Sequence, residues 1–224
     1  LLERGFTHFG FCGFSNDTWA RERRMGFVEA LELVNFKCEL MDTDYPGLAD
    51  PRWHAKDVEK IGQWLRNLAN VPHGIMACND LRGHQVADAA MELGIVIPDE
   101  IAIVGANNEA VRAELTHTPL SSVPVNVFDW GYRAAEALNA LIKGEFVQEM
   151  TFIDPLPVAR RRSTDALAVE DTVVSDALSI IREEACSAIR ADDLARRVNV
   201  SRSLLEKKFR LHLRRTPSEE IRAV

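Results

Sequence analysis

Features that would place this chain in a membrane, in a zinc-binding class or in a secreted class are missing from its sequence. No apolar run approaches the roughly 20 residues that span a bilayer, and no secretory signal peptide is recognisable. The cysteines Cys12, Cys38, Cys78 and Cys186 are scattered and form no C-x-x-C pair, which excludes the usual zinc motifs. The first three lie in apolar, strand-like runs and are expected to be reduced core residues. These absences predict a cytoplasmic protein with no membrane partner and no metal.

The sequence also lacks the local signatures of the common enzyme classes. It contains no G-x-G-x-x-G after a strand, no phosphate-binding loop and no nucleophile elbow. Acidic residues are plentiful but form no spaced pair, and the six histidines share no ligand-like spacing. We therefore expect no catalytic residue and no cofactor.

Charge is distributed unevenly along the chain. The formal net charge is −7, yet residues 171–224 carry 11 basic and 9 acidic side chains, whereas residues 1–170 carry 16 and 25. The basic excess is concentrated from Arg190 to Arg215, which holds nine Lys or Arg against three Asp or Glu. A basic patch in an otherwise acidic chain indicates binding of a phosphate backbone. The alternative is a charged helix surface that is merely solvated.

Strand and helix patterns alternate over the first 145 residues. Apolar runs predict strands over 8–14, 38–41, 74–78 and 101–105, and helical spacing predicts helices over 19–34, 54–69, 81–93 and 127–142. A short strand over 119–123 and an extended, proline-containing edge segment over 146–158 are also expected. This order predicts an α/β fold with a parallel sheet covered by helices on both faces. Ligands of such sheets bind at the loops beyond the carboxyl ends of the strands, here 15–23, 79–80 and 106–109.

Two short helices with a tight turn between them are predicted near the carboxyl end. Residues 192–198 form the first, and Asn199 enters the turn because asparagine adopts left-handed geometry readily. Ser201 is expected to cap the second helix, whose apolar residues Leu205 and Phe209 are four apart. A short polar helix held across a packed partner has the geometry that enters a major groove, although such helix pairs are common in helical proteins.

The helix pair resembles the first helix-turn-helix of AraC-type DNA-binding domains. The resemblance rests on the sequence DLA, on Ser201, Leu205 and Phe209 at successive spacings of four, and on Thr216-Pro217, near which the family's linking helix would start. It departs at Arg214, where the family usually has glycine, and the family's second helix-turn-helix is not found in this chain. The resemblance implies an all-α DNA-binding segment with Ser201 at its helix start. Bases would be read by Arg202, Ser203, Glu206 and Lys207, and phosphates would be contacted by Arg196, Arg197 and Arg210.

Residues 1–145 resemble the effector domain of LacI-type regulators, which has the type I periplasmic-binding-protein-like fold. The motifs occur in the family's order: LLERGFTHFGFCG, WARERRMGFVEAL, MACNDLRGHQVADAAMELGIVIPDEIAIVGANNE, PLSSV and GYRAAEALNALIKGE. The resemblance implies an effector domain over 1–158, of which the second lobe and the crossover helix are present. A linker over 159–170 and the helix-turn-helix segment over 171–224 would follow, with Asp171 capping a helix that runs to about residue 185. Without the first lobe, apolar surface is expected to be exposed over 128–141.

A LacI-type effector lobe followed by an AraC-type helix-turn-helix resembles the xylose-responsive regulators. This resemblance implies a transcription activator that takes a sugar, xylose, as its effector and binds operator DNA as a homodimer. An alternative is a sugar-binding protein of the periplasmic-binding fold without a DNA role. An enzyme on a doubly wound sheet is a third, which the missing catalytic motifs disfavour.

Five residues at the predicted edge of the sheet are candidates for sugar binding. Sugar hydroxyls both donate and accept hydrogen bonds; Arg23 offers a rigid fork of donors, Asn79 a donor and an acceptor, and Asp80 an acceptor. Trp19 can stack on the apolar face of a sugar. In LacI-type domains an aspartate follows the strand in a G-x-D sequence, whereas here Asn107 stands at that position. The weaker acceptor leaves the identity of the sugar open.

Each candidate also has a purely structural interpretation. Arg23 can pair with a glutamate of its own helix, and Asp80 can cap the helix that follows it. Trp19 can pack in the core, and Asn107 can be a turn residue. The two interpretations predict different hydrogen-bond partners.

Overall fold

The computed structural model describes residues 1–47, 52–68, 72–114, 117–166, 169, 171–184 and 189–223. Strands β1 to β5 span His8–Phe14, Cys38–Thr43, His73–Ala77, Ile101–Asn107 and Ser121–Pro124. Helices α1 to α9 span Thr18–Glu32, Trp53–Asn67, Asp80–Leu93, Ala110–Glu114, Val127–Ile142, Thr172–Glu183, Ala191–Arg197, Arg202–Leu213 and Pro217–Ala223. Short 3₁₀ turns occur at Leu2–Arg4 and Arg162–Thr164.

The strands form one parallel sheet with the order β2-β1-β3-β4-β5. The predicted parallel sheet is therefore confirmed. Because all five strands run in the same direction, their carboxyl ends lie along one edge. The loops that follow β1, β3 and β4 meet there, which positions the candidate site.

Helices cover both faces of the sheet, as the buried character of its strands predicts. On one face, Phe9 and Phe11 of β1 pack near Phe27 of α1. On the other face, Cys12 and Ile75 belong to the core cluster that α2 and α3 cover. Successive residues of β1 thus alternate between two apolar layers.

Three cysteines behave as the sequence predicts. Cys12, Cys38 and Cys78 are free thiols, and the first and third are buried. Burial raises the pKa of Cys38 and of Cys78 to about 12, so these thiols stay protonated at neutral pH. Cys186 lies outside the described residues.

The chain returns to the sheet after α5, over a stretch predicted as the linker. Ala159 forms an antiparallel bridge with Ser122, the second residue of β5. The buried hydroxyl of Ser163 donates to the carbonyl of Ile103 in β4 at 2.6 Å and accepts from the amide of Ser121 at 2.8 Å. Residues 159–164 therefore belong to the packed lobe. The preceding segment, 146–158, forms no strand. Its backbone hydrogen bond to the sheet runs from the N–H of Leu156 to the carbonyl of Pro124 at 3.0 Å, and a single such bond does not make a ladder.

Helix α5 is the element that packs least. None of its residues is buried, and Phe128 and Ile142 are 82% and 76% exposed. The extended segment beyond it exposes Phe146 and Phe152 as well. The apolar surface expected over 128–141 is confirmed by Phe128 together with Leu138 and Leu141, which are also exposed.

Helices α6, α7 and α8 form a second apolar cluster. Val174 and Leu178 of α6 pack with Leu194 of α7 and with Leu205 and Phe209 of α8. The buried spacing predicted for the second helix of the pair is therefore confirmed. Between α7 and α8, Asn199 adopts a left-handed conformation with φ 55°, as the turn predicted there requires.

Over the described ranges, the structure contains no helix long and apolar enough to cross a bilayer. The same ranges contain no cluster of His, Cys, Asp or Glu arranged to hold a metal ion.

Candidate functional site

Arg23 reaches across the carboxyl edge of the sheet from α1. Its guanidinium donates to the backbone carbonyl of Cys78 at 2.6 Å and to Asn107 Oδ1 at 2.9 Å. The first partner follows β3 and the second ends β4, so one side chain ties three elements together. The structural alternative, an ion pair with a glutamate of its own helix, is not what the geometry shows. Burial lowers the pKa of Arg23, while the Coulombic influence of Cys78 and Asp80 opposes that shift.

Asn79 caps α3 with the oxygen of its side-chain amide. Its Oδ1 accepts the backbone N–H of Arg82 at 2.9 Å. The amide Nδ2 donates to no described residue, so it is the group that stays available for a ligand. Asn79 lies next to Cys78, whose carbonyl Arg23 contacts, which places both predicted sugar contacts at one point of the edge.

Asp80 does not cap the helix, contrary to the structural alternative considered from the sequence. It is the first residue of α3, fully buried, and its Oδ1 accepts the hydroxyl of Ser122 at 2.5 Å. Its Oδ2 accepts the backbone N–H of Glu109 at 2.6 Å. Burial raises its pKa, and the hydrogen bonds from Ser122 and Glu109 oppose that shift. The buried Asp80 carboxylate therefore fixes the position of the loop after β4.

Asn107 and Asn108 end β4 with consecutive left-handed residues, at φ 96° and 53°. Asparagine tolerates this region better than most other residues that have a side chain. Asn107 points its Oδ1 at Arg23, whereas Asn108 Oδ1 accepts from Arg161 at 2.9 Å. Two adjacent asparagines thus accept hydrogen bonds from two different arginines.

Trp19 lies at the rim of the same edge, 38% exposed. Its ring meets Phe14 edge to face at 6.2 Å, and the Arg23 guanidinium lies 5.2 Å from its centre. The ring is thus packed against Phe14 and still partly open to solvent.

A buried arginine behind the site was not foreseen from the sequence. Arg82 has no exposed side-chain surface and donates to Asp57 at 2.8 Å, to Gln85 at 2.8 Å and to Thr43 at 2.6 Å. Its guanidinium also lies 4.0 Å from the ring centre of Phe14. The network joins β2, α2 and α3, and so fixes the elements from which the site loops project.

The surface of α8 separates the predicted DNA contacts into two groups. Ser203, Lys207 and Arg210 are exposed at helical spacing, opposite the buried Leu205 and Phe209. The side chains of Ser203 and Lys207 form no hydrogen bond or ion pair with any described residue.

The remaining predicted contacts are engaged within the segment. Arg202 pairs with Asp192 and with Glu206, each at 3.0 Å. Arg196 pairs with Asp193, and Arg197 pairs with Glu184. Ser201 accepts the backbone N–H of Leu204 at 3.2 Å, which makes it the predicted cap.

Comparison with known proteins shows the family of this chain. Residues 1–164 match the periplasmic binding protein-like domain. The chain belongs to this family. The matched range covers the five-stranded sheet, the loops of the candidate site and the returning segment, so the periplasmic-binding-protein-like lobe predicted from the motifs is confirmed.

Relatives of this periplasmic binding protein-like chain include regulators of sugar operons. The Xylose operon regulatory protein of Escherichia coli (strain K12) is 32% identical over 217 residues, covering 94% of this chain and 54% of the relative. That of Haemophilus influenzae (strain Rd) is 32% identical over 224 residues, covering 96% and 56%. The chain thus spans about half the length of the curated relatives it matches.

A solved structure extends the similarity to three dimensions. The xylose-binding transcription activator xylR superimposes with a TM-score of 0.71 at 30% identity, covering 99% of this chain and 58% of that one. Because nearly the whole chain is covered, the similarity continues beyond the periplasmic binding protein-like domain into helices α6 to α9.

Proposed function

We propose that this chain carries the sugar-sensing lobe and a DNA-binding helix pair of a xylose-type transcription regulator. The observation that carries the proposal is that one chain combines two features. The carboxyl edge of the sheet in the periplasmic binding protein-like lobe carries the candidate sugar-binding side chains, and a basic helix pair follows this lobe. The similarity to a xylose-binding transcription activator over 99% of this chain supports the proposal.

In the proposed sensing site, the ligand lies at the carboxyl edge of the sheet. Arg23 keeps N–H groups beyond the two it uses, and Asn79 keeps its Nδ2 amide. Trp19 supplies an apolar surface for the C–H face of a sugar ring. Asp80 and Asn107 would act on the ligand through the loops and the arginine that they hold. These groups match the donor-rich, partly apolar surface that a sugar requires.

In the proposed DNA-binding segment, α8 enters the major groove. Ser203, Lys207 and Arg210 face outward and would contact base edges and phosphates. Arg202 and Glu206, which pair with each other, would act as one positioned unit, and Arg196 and Arg197 would lie near the backbone. The helix pair would belong to the AraC type, and the regulator would bind operator DNA as a homodimer.

The sensing role is tested by calorimetry of the full-length protein with xylose, arabinose, ribose and glucose. We expect selective heat with one sugar and its loss in Arg23→Ala. The matched control is Arg21→Ala, since Arg21 lies on the same helix and donates to Thr18 rather than to the site. Equal sugar binding by Arg23→Ala and the control would contradict the assignment of the site.

The DNA-binding role is tested by fluorescence anisotropy with DNA that carries the operator. Lys207→Ala should weaken binding by about 1–3 kcal/mol if it reads a base, roughly 5- to 150-fold. The control is Lys37→Ala, an exposed lysine that follows α1 in the lobe. A sugar-binding protein without a DNA role predicts no binding in either case.

A further inference from the structure

The charge on Arg23 has no counter-charge in direct contact. Both acceptors of its guanidinium are neutral carbonyl oxygens, one from the backbone of Cys78 and one from the side chain of Asn107. Among the described residues, Arg23 forms no ion pair. A partly buried cation is costly unless an anion compensates it, and Asp80 acts on Arg23 without contacting it. The site therefore favours a ligand that brings a negative charge into contact with the guanidinium.

Three of the carboxylates around this edge are engaged with other groups. Asp80 is fully buried, and its two oxygens accept from Ser122 and from the amide of Glu109. Asp42, at the end of β2, pairs with Arg24, and Asp44 accepts the hydroxyl of Ser15. None of these groups contacts the guanidinium of Arg23.

We propose that this site binds a sugar acid, a polyhydroxy carboxylate, more tightly than the neutral sugar with the same hydroxyls, and that Asn107 sets the preference. The inference rests on the sensing role proposed above and names the chemical class of its ligand. A carboxylate can accept two parallel hydrogen bonds from the free N–H groups of Arg23, with the Nδ2 amide of Asn79 as a further donor. An aspartate at position 107 would occupy the same guanidinium and repel the acid. The neutral amide of Asn107 orients Arg23 without neutralising it.

The experiment compares ligands that differ in charge but carry similar hydroxyls. Calorimetry of the full-length protein with D-xylonate against D-xylose, and with D-gluconate against D-glucose, should give at least tenfold tighter binding of the acid in one pair. The advantage should shrink as the salt concentration rises, because screening weakens an ionic contact. Neutral sugar bound as tightly as its acid, at low salt, would overturn the inference.

Asn107→Asp provides the decisive variant. It should lower the ratio of acid to neutral affinity at least tenfold, because the new carboxylate pairs with Arg23. Asn108→Asp is the matched control, since it adds the same charge one residue away, also at positive φ, where Arg161 rather than Arg23 receives it. The control should keep the wild-type ratio, and equal ratios in all three proteins would overturn the role of Asn107.

Two further outcomes separate this inference from the function on which it rests. Heat from xylose but not from xylonate would leave the sensing role intact and overturn the acid preference alone. Heat from neither member of either pair, together with no effect of any of the four compounds on DNA binding, would overturn the sensing role and the inference with it. A melting curve of each variant by circular dichroism confirms that it is folded before the ratios are compared.

Discussion

Arg214 ends α8 in a backbone conformation that favours glycine. Its φ and ψ are 55° and 23°, and its N–H bonds to the carbonyl of Arg210 at 3.2 Å. A side chain on a left-handed residue crowds its own backbone, which explains why glycine is common at this point of a helix. We expect Arg214→Gly to raise the free energy of unfolding by up to about 1 kcal/mol. Urea unfolding followed by far-UV circular dichroism measures the change.

A second left-handed residue serves as the control for Arg214. Asn199 has the same φ of 55°, but asparagine tolerates this region. Asn199→Gly should therefore stabilise less than Arg214→Gly. A decrease in stability for Arg214→Gly would show that the arginine side chain contributes more than its backbone conformation costs.

The buried Arg82 network predicts a large loss of stability. Arg82→Met leaves the carboxylate of Asp57 buried without its main partner, and removing one member of a buried ion pair costs about 3–5 kcal/mol. Lys60→Met is the control, because Lys60 lies 3.9 Å from the same carboxylate but is exposed. The control should cost no more than about 1 kcal/mol. Similar losses in thermal melts of the two variants would contradict the role of burial.

Residues such as Arg82 and Asp80 show what sequence patterns leave open. A basic residue in the first turn of a helix has the pattern of a solvated side chain, and Arg82 is buried only because Thr43 and Asp57 are brought to it by other elements. Asn79 and Asp80 are both good caps by residue type. The distant Ser122 and Glu109 decide that Asp80 turns inward, and no local spacing encodes that contact.

At the scale of elements, boundaries with a local cause were predicted well. Gly94 ends α3 in a left-handed conformation, and Asp171 and Ser201 accept backbone N–H groups at the starts of α6 and α8. Helix α9 begins at Pro217, where the linking helix of the resemblance was placed. The five-residue α4 was not predicted, because so short a helix has too few turns to show a period. The predicted end of α6 near residue 185 lies outside the described residues.

Asp171 links the stability of the helical segment to pH. Burial alone would raise its pKa, but hydrogen bonds from Lys208 and from the Val174 amide, with the nearby charge of Lys208, lower the pKa below its ordinary value of 3.8. A lowered pKa in the folded state contributes stability above pH 3.8, and this contribution is lost as the pH falls through the folded value. Acid unfolding of the wild type should include this loss.

Asp171→Asn removes the negative charge of residue 171 but keeps its helix cap. Asparagine caps a helix as well as aspartate does, so the contact with Val174 is kept, while the pairing with Lys208 and His212 is lost. The variant should be less stable at pH 6, and the difference should vanish as the pH falls below the folded pKa. Urea titrations between pH 2 and 6 test this, and a constant difference across that range would contradict it.

At the scale of the whole molecule, one ion pair between described residues joins the lobe to the helical segment. Arg182 of α6 pairs with Asp99, in the turn between α3 and β4, and both side chains are largely buried. A groove of about 570 Å³ lies beside this pair, with Leu65 and Val96 among its lobe residues and Ser175 among those of α6. Apolar side chains of the lobe and polar side chains of α6 thus line the contact beside this buried ion pair.

Loss of that ion pair should loosen α6 without harming the lobe. Arg182→Gln is expected to speed amide hydrogen exchange in α6 severalfold, because local opening no longer breaks a buried pair. Exchange in β3 and β4 should stay unchanged. Arg4→Gln, which breaks the more exposed pair with Asp165 at 3.4 Å, is the matched control. Unchanged exchange in α6 would contradict the role of Arg182.

The general arrangement of the molecule followed from patterns, whereas its internal contacts did not. Alternating apolar runs predicted the parallel sheet, and the shared edge of such a sheet predicted that Arg23, Asn79 and Asn107 would meet. The pairing of Arg182 with Asp99 joins residues 83 apart and could not be inferred, since many charges of either sign were available. Periodicity determines which face of an element is buried, but not which partner covers it.

The exposed face of α5 makes protein concentration a variable in every binding measurement on this chain. Phe128 and Ile142 present apolar surface to solvent, and exposed apolar patches favour association between copies of a chain. By mass action, the associated fraction grows with the amount of protein, and any ligand that favours one form appears to bind with a concentration-dependent affinity. A dilution series is therefore part of each affinity determination, and the affinity that persists at the lowest concentration belongs to the single chain.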